Sequence, residues 1–210
     1  LLYLVLFSGA EVLFPWVRNP YPGKEHWLCL PSVAARDLVS LLILCALNLA
    51  YLLSSLRPDL GALREAGIGK ANPLWALLSR NWKGLEAEQK RSEAVQGTLA
   101  IFCILGFVLV MSLVAFDLIM PLDPQWYSTL FGVYFFVGCF YSGLALITAL
   151  AAVLRTSLKL ESYLKPETFY DQGKLLLGFC AFWTAMFWSQ FLVIWYGNLP
   201  EETGFLTLRM

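Results

Sequence analysis

Few side chains in this chain could do chemistry, and nearly all of them are carboxylates. His26 is the one histidine among 210 residues. A haem buried between membrane helices is usually held by two axial histidines, so His26 alone cannot hold one. Five cysteines, Cys29, Cys45, Cys103, Cys139 and Cys180, stand singly with no C-x-x-C pair. They read as small packing residues, not as iron-sulfur or zinc ligands. The sequence holds no Ser/His/Asp set, no P-loop and no glycine-rich dinucleotide turn. What remains is Asp37, Asp117, Asp123, Glu201 and Glu202, with Gln190 as an uncharged polar group between them. Carboxylates at membrane depth commonly mark ion or proton paths, because burying a charge is costly unless it is used or paired. Several also have a structural reading. Asp123 before Pro124 suits a helix cap, and Glu201 with Glu202 suits the first turn of a helix begun by Pro200. Asn48, Thr184, Ser189 and Gln190 suit hydrogen bonds across helices. Asp117 falls in the last turn of an apolar run and has no capping role.

The elements that must position these groups are membrane spans. The chain is 59% hydrophobic and only 14% charged, against about 25% charged in ordinary soluble domains. Fifteen basic and fifteen acidic residues cancel, which leaves no field to attract nucleic acid. Uncharged runs at 38–56, 98–116, 124–154 and 175–200 each approach or exceed the ~20 residues that cross a bilayer. The expected fold is all-α, a polytopic transmembrane bundle in a single transmembrane domain over 1–210. Residues 1–10 read as the end of a helix begun upstream, and Phe205 to Leu208 as the entry to a further apolar run. One partial and four complete helices follow.

Punctuation agrees with the spans. Ser32 after Pro31 is expected to cap the second helix and Arg57-Pro58 to stop it. Asp123-Pro124 is expected to start the fourth, and Asn198-Leu199-Pro200 to end the fifth. Lys and Arg divide four against eleven between the two sides, with Arg57, Arg91 and Arg155 on the richer one. That side is expected to be cytoplasmic. The longest connection, 57–96, carries Leu74, Trp75, Leu77, Leu78, Trp82 and Leu85 between charges. It suits an interfacial helix or, equally, a solvated connector. Gly138, Ser142, Ala145, Ala149 and Ala152 form a small-residue stripe that lets another helix approach. Trp126, Tyr127, Trp195 and Tyr196 read first as interfacial anchors.

Two runs resemble a known family. Residues 117–134, DLIMPLDPQWYSTLFGVY, and 182–203, FWTAMFWSQFLVIWYGNLPEET, are similar to stretches of the F subunit of bacterial alternative complex III, with Trp188 where that pattern carries Phe. The resemblance covers the C-terminal half of the chain. It implies an integral membrane subunit of a respiratory quinol:cytochrome c oxidoreductase, related to polysulfide-reductase membrane anchors and seated in the bacterial inner membrane. It further implies a cofactor-free subunit without a catalytic centre of its own. Haem c and iron-sulfur clusters would belong to partner subunits: a multihaem cytochrome c, an iron-sulfur subunit and a quinol-binding membrane subunit. The family's proposed proton half-channels would fall here on Asp117, Asp123, Gln190, Glu201 and Glu202.

Two other readings stand beside this one. An ion-coupled secondary transporter would show broken helices with mid-span Gly or Pro and internal repeats, and the prolines here flank the spans. A quinol-binding anchor would set Trp126, Tyr127 or His26 around a headgroup at the membrane face.

Overall fold

The structure is a computed structural model and describes residues 7–67, 82–123 and 126–207. Two short helices come first, α1 (Ala10–Leu13) and α2 (Pro15–Arg18). They are separated at Phe14, whose backbone is extended at φ −109° and ψ 107°; a residue before proline is kept out of the helical region. The long helices are α3 (Leu30–Glu65), α4 (Leu85–Val114), α5 (Leu130–Ser157) and α6 (Pro166–Gly197). After α4 the chain passes through a π-helical turn, Ala115–Ile119, and a 3₁₀ turn, Met120–Leu122; α7 (Pro200–Thr207) comes last. No strand occurs among the described residues, and the fold is all-α.

Four helical segments are long and apolar enough to cross a membrane. The shortest, α5, has 28 residues, or about 42 Å at 1.5 Å per residue, against a hydrocarbon core of about 30 Å. Their outward faces stay apolar: Leu109 is 69% exposed, Val153 72% and Leu177 72%. Faces of this kind are stable in lipid or against other membrane helices. The chain is a multi-pass integral membrane protein. The expected first helix lies mostly in 1–6, outside the described residues.

Two compact units make up the chain, Ala35–Val110 in one and Leu1–Ala34 with Met111–Met210 in the other. The first is an antiparallel hairpin of α3 and α4. Gly106 brings α4 against Leu44 and Leu47. Pro58 does not stop α3, contrary to its sequence reading; it sits inside the helix, which runs on to Glu65. Proline lacks the N–H that would bond the carbonyl four residues back, here that of Ser54. The Ser92 hydroxyl on α4 donates to that carbonyl and accepts from Gln96 Nε2 at 2.7 Å. One turn further, Arg57 Nε meets Glu88 Oε2 at 2.8 Å and Arg57 Nη2 donates to Glu88 Oε1 at 3.3 Å. The neighbouring helix thus supplies what the proline removes. The connection is correspondingly shorter than 57–96, since α3 ends at Glu65 and α4 begins at Leu85. The interfacial-helix expectation falls largely on 68–81, outside the described residues. Trp82 is described, and its indole lies so close over Gly61 that a side chain there would collide with it.

The second unit is built on aromatic packing between α5 and α6. Tyr134 stacks on Trp183 at 5.0 Å between ring centroids, and Phe140 meets Phe179 at 4.8 Å. Gly138, from the small-residue stripe, makes room for the Trp183 indole, while Ser142, Ala149 and Ala152 remain exposed. Gly132 admits the Phe116 ring in the same way.

Other sequence expectations are corrected as well. The second helix starts at Leu30, which places Ser32 in its first turn instead of at its cap. The fourth starts at Leu130, after Trp126 has been packed into the core. Asn48, Thr184 and Ser189 make no hydrogen bond across helices among the described residues. Each donates to the carbonyl four residues back in its own helix, the nearest acceptor for a polar group on an outward face.

If Ser92 replaces the bond lost at Pro58, Ser92→Ala should destabilise the protein by about 1 kcal/mol, the cost of one unmet buried carbonyl. In a Pro58→Ala background the new alanine restores the backbone donor, and the same change at Ser92 should cost almost nothing. Thermal unfolding in mild detergent of the two single variants and the double variant measures this coupling; equal cost in both backgrounds would refute it.

Candidate functional site

Asp117 owes its position to Pro121. A regular helix would bring the Pro121 ring against the Asp117 carbonyl, which would have no N–H to meet. The chain widens instead, and the N–H of Met120 bonds the Ala115 carbonyl five residues back. It then tightens through Met120–Leu122 and leaves the helix at Asp123, extended at φ −107° and ψ 111°. Single π turns of this sort are frequent at functional sites. Asp117 lies in the middle of the wide turn with 0% of its surface exposed.

The Asp117 carboxylate is held from the loop before α3. Trp27 Nε1 donates to Asp117 Oδ1 at 2.8 Å. Sequence reading misses Trp27, and a contact ninety residues away in the chain leaves no local signal. The turn itself is legible: Pro121 four residues after Asp117 marks where the helix must loosen. Trp126 is not an interfacial anchor. It is 2% exposed, meets Phe131 edge-on at 5.0 Å, and packs with Ala115, Ile119 and Met120 on the turn that carries Asp117. Tyr127, at 68% exposure, keeps the outward position expected of an anchor, with Lys24 Nζ 6.0 Å from its ring centroid. His26 is exposed.

Beside this turn lies a cavity of about 350 Å³ whose walls include Tyr21, Lys24, Trp27, Met120, Asp123 and Trp126. Aromatic walls with one carboxylate and one ammonium, at this volume, suit a small ring-shaped guest. Trp27 serves both the cavity wall and Asp117.

The remaining sequence candidates are placed as follows. Asp123 is half-buried at the end of the 3₁₀ turn, and its role as a helix cap is overturned because α5 begins later, at Leu130. Gln190 is buried on α6 at 8% exposure, and its Nε2 has no hydrogen-bond partner among the described residues. Glu201 and Glu202 lie in the first turn of α7, as expected from Pro200; the Glu202 side chain is half-buried, and that of Glu201 lies outside the described ones. Asn198, left-handed at φ 44°, closes α6 before them. Asp37 is fully buried on α3, two turns inside the helix.

Tyr21, outside the spans, reports on the electrostatics of the cavity. Burial, and secondarily the Asp123 carboxylate, push its phenol above the ordinary tyrosine value of 10.0. The fold therefore favours the neutral phenol. Its contribution to stability is complete below pH ~10 and is lost as pH rises through the higher folded value. In an ultraviolet titration of tyrosinate, Tyr21→Phe should remove a late-ionising component, and Asp123→Asn should move that component to lower pH. A late component unchanged in Tyr21→Phe would contradict the assignment. Compared with known proteins, the chain matches no family model and no curated protein.

Proposed function

We propose that the chain is a cofactor-free membrane subunit of a bacterial respiratory quinol:electron-acceptor oxidoreductase of the alternative complex III kind, and that Asp117 handles a proton in it. The family part of this reading rests on the two sequence runs at 117–134 and 182–203. Its setting is the bacterial inner membrane, with a multihaem cytochrome c, an iron-sulfur subunit and a quinol-binding membrane subunit as partners.

The observation that carries the proton role is the setting of Asp117. It is a fully buried carboxylate in a π-helical turn, anchored through one oxygen by an indole N–H. Carboxyl groups held in place inside a membrane protein are the usual carriers of protons through it. Asp123, beside the cavity, and Glu202, in the first turn of α7, are the further acidic candidates, each at the same end of the spans by its position in the sequence. Gln190 makes no direct hydrogen bond to them through its Nε2 among the described residues.

The family reading predicts that the full-length protein, drawn from its native membrane in mild detergent, co-purifies with multihaem and iron-sulfur subunits and shows a haem spectrum. A colourless, homogeneous protein would overturn it and favour the transporter reading. Within such a complex, Asp117→Asn should leave assembly and haem content intact while cutting coupled proton movement about tenfold or more. Proton stoichiometry in reconstituted vesicles decides this, and an unchanged value would remove the role from Asp117.

A further inference from the structure

The Arg57–Glu88 pair borders a cavity that the proposed function does not use. It lies wholly within the α3–α4 hairpin and encloses about 270 Å³, between Leu53, Ser54, Arg57, Glu88, Arg91 and Val95. A water molecule's share of the liquid is about 30 Å³, so the space holds about nine waters, or a phosphate with the first atoms of its ester arms.

Charge decides the kind of guest. Glu88 is 1% exposed, and its two oxygens are both taken by Arg57. Two guanidiniums against one carboxylate leave the lining with one positive charge. The surplus belongs to Arg91, which lies one turn after Glu88 on α4 and is exposed. No carboxylate within ion-pair distance of Arg91 occurs among the described residues. A guanidinium presents a planar fork of donors that matches phosphate oxygens.

Position narrows the source. Leu53 and Ser54 are in the last turns of the apolar run of α3, and Arg57 follows directly after it. The cavity therefore straddles the change from apolar to charged surface, at the end of the hairpin where basic residues are concentrated. Val95, on its rim, is 39% exposed. Basic pockets between membrane helices on that side receive anionic headgroups.

We propose that this cavity binds a phosphate-bearing anion, carried on the headgroup of an anionic phospholipid or free in solution, with Arg91 as the primary contact and Arg57 held in place by Glu88. The test uses the full-length protein, together with any subunits that accompany it, delipidated in mild detergent and titrated with phosphatidylglycerol, inorganic phosphate or dioleoylglycerol while thermal unfolding is followed. Phosphatidylglycerol should raise the midpoint in the unaltered protein and in Lys90→Gln, whose residue is adjacent but outside the lining. In Arg91→Gln the apparent affinity should fall about tenfold. An Arg91-dependent rise with phosphatidylglycerol alone identifies a lipid site, and the same rise with inorganic phosphate identifies a free-anion site. A response to dioleoylglycerol equal to that of phosphatidylglycerol overturns the proposal. So does any response that Arg91→Gln leaves unchanged, or the lack of a response to either phosphate probe.

Discussion

In hydrocarbon, a backbone carbonyl that loses its partner has no water to turn to. Two prolines create that problem in this chain, and the two solutions shape much of what surrounds them. At Pro58 the helix continues, and a serine on the next helix meets the stranded carbonyl. At Pro121 the helix gives way, first widening and then tightening, and the chain leaves it within three residues. The first solution ties two helices together near their charged ends. The second places a carboxylate inside the protein and starts a loop.

The polar groups of the hairpin are consistent with this division. Arg57 and Glu88 form a pair that would be expensive to break from one side, since removing Arg57 strands a fully buried carboxylate. Such a pair adds little net stability over a well-packed apolar contact, but it fixes the register of α3 against α4 at the same level as the Ser92 bond. The aromatic packing of α5 on α6 has the opposite character. It is broad and apolar, with Gly138 where the Trp183 ring comes close to the backbone of α5.

Span number, helical class and the end of α6 at Asn198 are legible in the sequence, because apolar runs longer than a bilayer and a left-handed stop before proline are local signals. Sequence reading fails where a distant residue decides. Pro58 reads as a stop until Ser92 is brought beside it. Trp126 reads as an anchor because it follows a polar turn, yet burying an indole against Ala115 and Phe131 wins over the membrane face. Asp123 followed by proline has the form of a cap, but Trp126 packs into the core and the helix begins only at Leu130. Asp117 stands out in the sequence because no capping role accounts for it. Its partner Trp27 does not, since nothing in the intervening sequence links the two.

The wide turn also acts on the phase of the helix. Each residue of an α-helix advances the side chains by about 100°, so a ring closed over five residues instead of four rotates everything after it relative to everything before it. The lipid-facing stripe of α4 therefore need not continue past Val114. Ala115, packed with Trp126, and Asp117, held by Trp27, can then both be buried on the turn itself. One local change in winding lets an apolar segment end on a buried carboxylate.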